Sequence, residues 1–404
     1  MSIKVKFNKV ILWSHLVSGI IAGITIFMMS VTGVLLTYEH QLVERADMSL
    51  LSSDKIGSTR KPLETIITQA TERFGVEEVK LIIRNDISAP YQIFIEGRNA
   101  IYVDAYTGEY LGQGAETIRS VFNIIKNWHR WFNLQGDKQI IGKKITGISN
   151  VLFLVLLLSG IYVWFPRAKK GLNIKNHFIF DFKPTSSKIR DLNWHNVFGF
   201  WSLIPLVIIA ATAITISYPS INNVLKKIVI DEVIEDQVIN NQLYETEVGV
   251  VDDKLEITQL PVNEETEESL DLLSLDELLL NAQTLAEGWQ KMSLVSNLDK
   301  TETVSITFFL TNGNQPQLQE TWYLNPYKGD VINKSTWADK PSSHRMPKLF
   351  KSLHTGAYFG LTGQAIAALV CLSACVLVWT GFTLTWRRYI WLNVKTPSQH
   401  EIDN

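Results

Sequence analysis

The chain has 404 residues, 46% hydrophobic and 19% charged, with a formal net charge of −2. That length holds two or three soluble domains, and a near-neutral charge without a basic stripe excludes nucleic acid as a partner. Only two cysteines occur, Cys371 and Cys375, both in one apolar stretch, so no disulfide framework exists and the pair reads as small buried hydrophobes.

In chain order, a tail (1–9) with Lys4, Lys6 and Lys9 precedes a first stretch, 10–38, that contains no Asp, Glu, Lys or Arg. It exceeds the ~20 residues needed to cross the hydrocarbon core and lacks a small-residue cleavage site, so it reads as an uncleaved anchor. Region 39–144 follows: helical periodicity in LETIITQATERF, then strand-like VKLIIR, YQIFIE and IYVDAYTGEYL. A second span covers 145–165. The connection 166–194 carries Arg167, Lys169, Lys170, Lys175, Lys183, Lys188 and Arg190 against Asp181 and Asp191. A third span, 195–218, leads into 219–359, where an acidic insert (230–269, including EETEES) reads as a solvated linker. Residues 270–335 again read as a helix followed by strands. The fourth span, 360–386, ends at Arg387 and Arg388 in a tail, 387–404.

The basic tail, the basic 166–194 connection and the Arg387–Arg388 end all belong in the cytoplasm by the charge bias of short loops. Lys143 and Lys144 argue the other way, outvoted three segments to one. Regions 39–144 and 219–359 are then expected outside, in the periplasm, with both termini in the cytoplasm of a bacterial inner membrane. The expected fold is an all-α four-helix transmembrane bundle carrying two extracytoplasmic α+β domains.

The architecture is written twice. His15, Gly19, Thr32 and Tyr38 match His195, Gly199, Thr212 and Tyr218 at a constant offset of 180 residues. SGIYVWFPR and TGFTLTWRR end the second and fourth spans alike, and YVDAYTGEYL and YLNPYKGDVI repeat one strand–turn–strand.

Eight histidines occur. An ionisable group within a span is costly and is a functional hypothesis by default. His15 and His195, at equal depth near the cytoplasmic ends, can bind one metal or both axial faces of a haem, with Gly19 and Gly199 one turn on leaving room for a flat macrocycle. Tetrahedral zinc would need more ligands. His129 and His354, ahead of the second and fourth spans, can form an outer pair if GDKQIIGKK folds back. His40 and His344 are the second choices there; His177 and His400 read as exposed. The bland alternative for each pair is a polar interfacial residue without cofactor. Without CxxCH, any haem is non-covalent, and with no nucleotide motif its electrons must come from a quinol or a separate cytoplasmic reductase.

WSHLVSG, WHRWF, LHTGAYFG and SGIYVWFPR, in that order across nearly the whole chain, resemble the PepSY-associated transmembrane family of iron-regulated inner-membrane proteins. VDAYTGEYL and NPYKGDVI look like parts of PepSY domains. The resemblance implies haem b, two per chain, ligated by His15, His195, His129 and His354, and reduction of a ferric siderophore in the periplasm. Some relatives append a flavin reductase module after the fourth span; this chain stops soon after it. The competing expectation is a non-enzymatic membrane protein whose PepSY domains bind peptides or restrain a protease.

Overall fold

The structure, a computed structural model, describes residues 3–51, 59–76, 79–95, 100–169, 177–221, 223–224, 227, 272–296, 303–313 and 315–394. The acidic insert 230–269 and His400 lie outside the described residues. The chain divides into two compact units. One comprises Met1–Glu44, Glu116–Ile221 and Lys348–Asn404; the other comprises Arg45–Ala115 and Asn222–Pro347.

The first unit is a helical bundle. Four helices are long and apolar enough to cross a membrane: α1 (Ile3–Leu36), α5 (Lys138–Lys169), α6 (Ser187–Ser217) and α9 (Gly360–Val394). α1 packs on α5 and α9, and α6 packs on the same two, so α1 and α6 stand diagonally across the bundle. Apolar side chains point outward along these helices, Ile24 at 73% exposed and Trp379 at 66% among them. The interior is lined instead by small residues, including Ala22, Ser30, Ala210, Ala213, Ala367 and Ala374. This is the pattern of helices solvated by lipid, where tight van der Waals packing rather than apolar burial joins the helices. Gly23 shows how close the approach is: a Cβ there would meet the Phe382 ring at 2.7 Å.

Three shorter helices accompany the four long ones, and the first, α2 (Glu39–Leu51), follows directly on α1. α4 (Glu116–Trp131) is antiparallel to the start of α5, and α8 (Ser342–His354) leads through a 3-10 turn at Ala357–Phe359 into α9. The α4–α5 reversal is made by Phe132, Asn133 and Gly136 in the left-handed region (φ 57°, 54° and 57°). The reversal thus lies at the very start of GDKQIIGKK and just ahead of it; from Lys138 on, that segment is the first turns of the continuous α5 rather than a fold-back of its own. Gly142 sits so close to Trp131 that a side chain would collide with its backbone carbonyl. Gly356 (φ 74°) and Gly363 meet equally closely ahead of the fourth span.

The second unit contains one eight-stranded antiparallel sheet. In space the order is β4–β3–β2–β1–β5–β6–β7–β8, with β1 Val79–Arg84, β2 Tyr91–Phe94, β3 Ile101–Val103, β4 Tyr110–Gly112, β5 Lys291–Ser296, β6 Val304–Phe309, β7 Gln319–Leu324 and β8 Val331–Ser335. The two sequence repeats thus join edge to edge through β1 and β5, in register from Val79↔Ser296 to Arg84↔Lys291. Pairing these strands removes one exposed edge from each repeat.

Helices α3 (Leu63–Phe74) and α7 (Leu275–Leu285) lie on this sheet over one shared core, which includes Ile66, Leu81, Ile93, Leu278, Leu294 and Ile306. Their starts are cross-capped. Asp276 of α7 accepts from the Leu63 N–H of α3 (2.8 Å), and Glu64 of α3 accepts from the Leu275 N–H of α7. Each supplies an acceptor for an N–H that has no partner within its own helix.

Candidate functional site

Both candidate histidine pairs lie in the first unit. His15 on α1 and His195 on α6 face each other across the bundle diagonal, with ring centres 6.4 Å apart and planes at 87°. His129 on α4 and His354 on α8 form a second pair, with ring centres 6.3 Å apart and planes at 65°. Two imidazoles on opposite sides of one metal, each bonded at about 2.0–2.1 Å, place their ring centres roughly 6 Å apart.

Each imidazole is held by a hydroxyl from a neighbouring helix. His15 Nδ1 meets Ser159 Oγ on α5, and His195 Nδ1 meets Thr380 Oγ1 on α9, both at 2.9 Å. His129 Nδ1 meets Thr32 Oγ1 on α1 at 2.9 Å, and His354 Nδ1 meets Thr212 Oγ1 on α6 at 3.3 Å. The scheme is reciprocal. α1 and α6 provide the first pair of rings and the hydroxyls for the second pair, while α5 and α9 provide the hydroxyls for the first.

These contacts fix the tautomer. Ser159, Thr380, Thr32 and Thr212 each donate their single proton to a carbonyl one turn back, those of Val155, Val376, Met28 and Ile208, at 2.6–2.7 Å. A hydroxyl has one proton to give. Toward the imidazole it must therefore accept, which assigns the proton to Nδ1 and the lone pair to Nε2 in all four rings. The Ile209 carbonyl, 3.1 Å from His354 Nδ1, is a pure acceptor and makes the same assignment independently. Burial pushes the His129 imidazole down to about 4, and neighbouring His354 adds to the effect. Burial lowers His354 as well. Both rings are neutral at pH 7, the form that ligates metals.

Sequence reasoning missed the four hydroxyls, although Thr32 and Thr212 stood in the 180-residue repeat and Ser159-Gly160 and Thr380-Gly381 were parallel. It also missed the glycines that lie against the rings. A Cβ at Gly19 or Gly199 would meet Leu156 or Leu377 at ordinary van der Waals distance. Gly160, Gly381 and Gly33 are the glycines against the rings: a Cβ there would lie 3.5 Å from His15 Cε1, 3.6 Å from His195 Cε1 and 3.6 Å from His129 Cε1. The helix that presents a ring is not the one that must make room for it.

The remaining histidines lie elsewhere. His40 is placed 3.4 Å from Glu44 within one helix turn, and His344 is exposed at the start of α8. His177 is a correction: instead of being exposed it is 8% exposed, edge-on to Trp164 at 6.0 Å. The cause is the adjacent aromatic run, since Phe178 packs on Phe200 of α6 and on Trp164. Among the described residues, no cluster of three or more His, Cys, Asp or Glu could hold a metal ion.

A family profile described as the PepSY-associated TM region matches residues 12–388, almost the full chain. The chain belongs to this family. It is a multi-pass membrane protein by both the match and its four apolar helices. Among curated proteins no match is found. Family membership covers both histidine pairs of this PepSY-associated protein, since all four residues fall inside the matched range.

Proposed function

We propose that this protein is a di-haem electron carrier of the bacterial inner membrane, both termini cytoplasmic, that reduces a ferric siderophore in the periplasm. It is then a ferric-chelate reductase whose electrons arrive from a quinol or a separate cytoplasmic reductase. The observation that carries this reading is two facing imidazole pairs, each with Nδ1 committed to a hydroxyl and the lone pair on Nε2. Two facing imidazole nitrogens would suit haem, a metal group that needs few ligands from the protein.

Haem, when bound, supplies the one-electron chemistry. The chain's own residues set its place. His15 and His195 hold one centre, His129 and His354 the other, and the hydroxyls fix ring orientation and raise ligand basicity. Seventeen residues of α1 separate His15 from Thr32, the partner of His129, about 25 Å of helix. The two sites therefore divide the membrane crossing into short steps, with apolar Leu206, Ala210 and Ala374 buried between the helices.

Purified protein should be red, with two haems per chain by pyridine haemochrome assay. A colourless preparation from haem-sufficient cells overturns the reading and favours a peptide-binding role for the PepSY-like domains. His354→Ala should remove the outer haem, keep the inner one reducible, and drop chelate reduction by spheroplasts to the level of cells lacking the protein. Normal reduction in that variant, with failure in His40→Ala or His344→Ala instead, would reassign the outer ligand.

A further inference from the structure

One helical turn from His195 lies an ionic cluster, built on a buried carboxylate, that neither pair explains. Asp191 stands one helical turn before His195 on α6 and is 2% exposed. Its Oδ1 accepts from Arg190 Nε (3.0 Å) and Nη2 (2.9 Å), and its Oδ2 accepts from Thr383 Oγ1 at 3.3 Å and pairs with Arg387 Nη2 at 3.1 Å. Both carboxylate oxygens are thereby engaged. Arg387 Nη1 is also buried, yet among the described residues it has no hydrogen-bond partner.

An unanswered guanidinium N–H away from water is costly. Arg190 approaches the carboxylate from an exposed position, so the group that still lacks a counterpart is the buried Nη1 of Arg387. Its position specifies where an anion would belong. Thr380 and Gly381, which hold and cradle His195, lie on the same helix as Arg387. Six residues separate Gly381 from Arg387, about 9 Å of helix, and Arg387 pairs with Asp191 one turn before His195, so the guanidinium and the His195 ring share one end of the bundle. A planar guanidinium with a second nitrogen to spare suits a carboxylate.

We propose that Arg387 is a carboxylate clamp, held in place by Asp191, for a propionate of the haem bound between His15 and His195. The proposal rests on the haem reading of that pair. Arg387 is a positioning residue that also adds positive charge beside the macrocycle, which favours the reduced iron.

The test is potentiometric titration of the full-length protein in detergent. The first-pair signal is identified by its loss in His195→Ala. Arg387→Gln should make that haem about tenfold harder to reduce, about 59 mV for one electron, with faster haem loss to apomyoglobin. Arg387→Lys, which keeps a charge for Asp191 but lacks the forked second nitrogen, should shift less in the same direction and serves if the Gln variant does not fold. Protein stripped and refilled with haem dimethyl ester, which has no free carboxylate, should lose its haem equally fast in wild type and in either variant, while the through-space charge of Arg387 still separates wild type from the Gln variant in potential. An equal difference in retention with haem and with its ester means that Nη1 meets another anion, such as a lipid phosphate, and overturns the clamp. Unchanged potential and retention in both variants overturn it too. A colourless wild type overturns the haem reading and the clamp together, whereas a red wild type with unaltered variants removes the clamp alone.

Discussion

At the scale of single residues, the first-pair hydroxyls matter through the proton they leave on the imidazole. Thr380 Oγ1 can only accept from His195 because its own proton is spent on the Val376 carbonyl. Valine keeps the shape and removes the acceptor. Thr380→Val, and Ser159→Ala by the same reasoning, should weaken retention of the first-pair cofactor about 10–100-fold. Competition with apomyoglobin measures this, and unchanged retention would mean that the hydroxyls do not orient the rings. Lys291 poses an independent problem in the sheet. It is 7% exposed, stands opposite Arg84, and donates to the Asn312 carbonyl at 3.3 Å. Burial, then the like charge of Arg84, push its amine down to about 8. The folded state therefore binds this proton less well than the unfolded state. The penalty, about 3 kcal/mol, is fully present below pH 8 and fades as pH rises toward the unfolded value near 10.5. Hydrogen exchange at β1 and β5 should accordingly slow between pH 7.5 and about 9.5 after correction for the intrinsic rate, and Lys291→Met should abolish that gain while being the more stable protein at pH 7. A flat profile in wild type would refute the assignment.

At the scale of elements, the second histidine pair depends on two reversals of the chain. His129 and His354 lie on α4 and α8, and each must be turned back toward the bundle before the next span begins. Gly142 allows α5 to lie against Trp131, and Gly363 allows α9 to lie against Gly356. Alanine in a helix is intrinsically better than glycine by about 0.5–1 kcal/mol, so propensity alone favours Gly142→Ala. The backbone collision costs more, about 1–3 kcal/mol, and decides the sign. Gly142→Ala should destabilise the α4–α5 hairpin and perturb the His129–His354 site while the His15–His195 site keeps its spectrum. A stabilised protein with both sites intact would mean that the hairpin tolerates the shift.

At the scale of the whole molecule, the two sequence repeats share one sheet and one core within the sheet unit, which predicts that they unfold together. Leu81 (0% exposed) and Leu294 (1%) face one another at the β1–β5 junction, and the core beneath them draws on both repeats. Leu294→Asp would bury a carboxylate there at a cost of several kcal/mol. Limited proteolysis should then cut both 59–115 and 272–347; protection persisting in 59–115 would show that the first repeat folds without the second.

The sequence by itself determined the four spans, since uninterrupted apolar runs of that length admit few other structures, and it determined the duplication, since matched offsets survive in the residues themselves. It also singled out the four histidines, because an imidazole in or beside lipid is rare enough to be conspicuous. Only the tertiary structure decided that His15 meets His195 and His129 meets His354, because pairing depends on diagonal packing of α1 and α6 and on two glycine-tight reversals. It alone showed which hydroxyls hold the rings: a serine 144 residues from its histidine leaves no local pattern. It alone joined the two repeats in one sheet, since β1 and β5 read as well as edge strands of separate domains. His177 shows the same limit, for its neighbours in sequence are aromatic, and whether they cover it or leave it in solvent depends on where α6 lies.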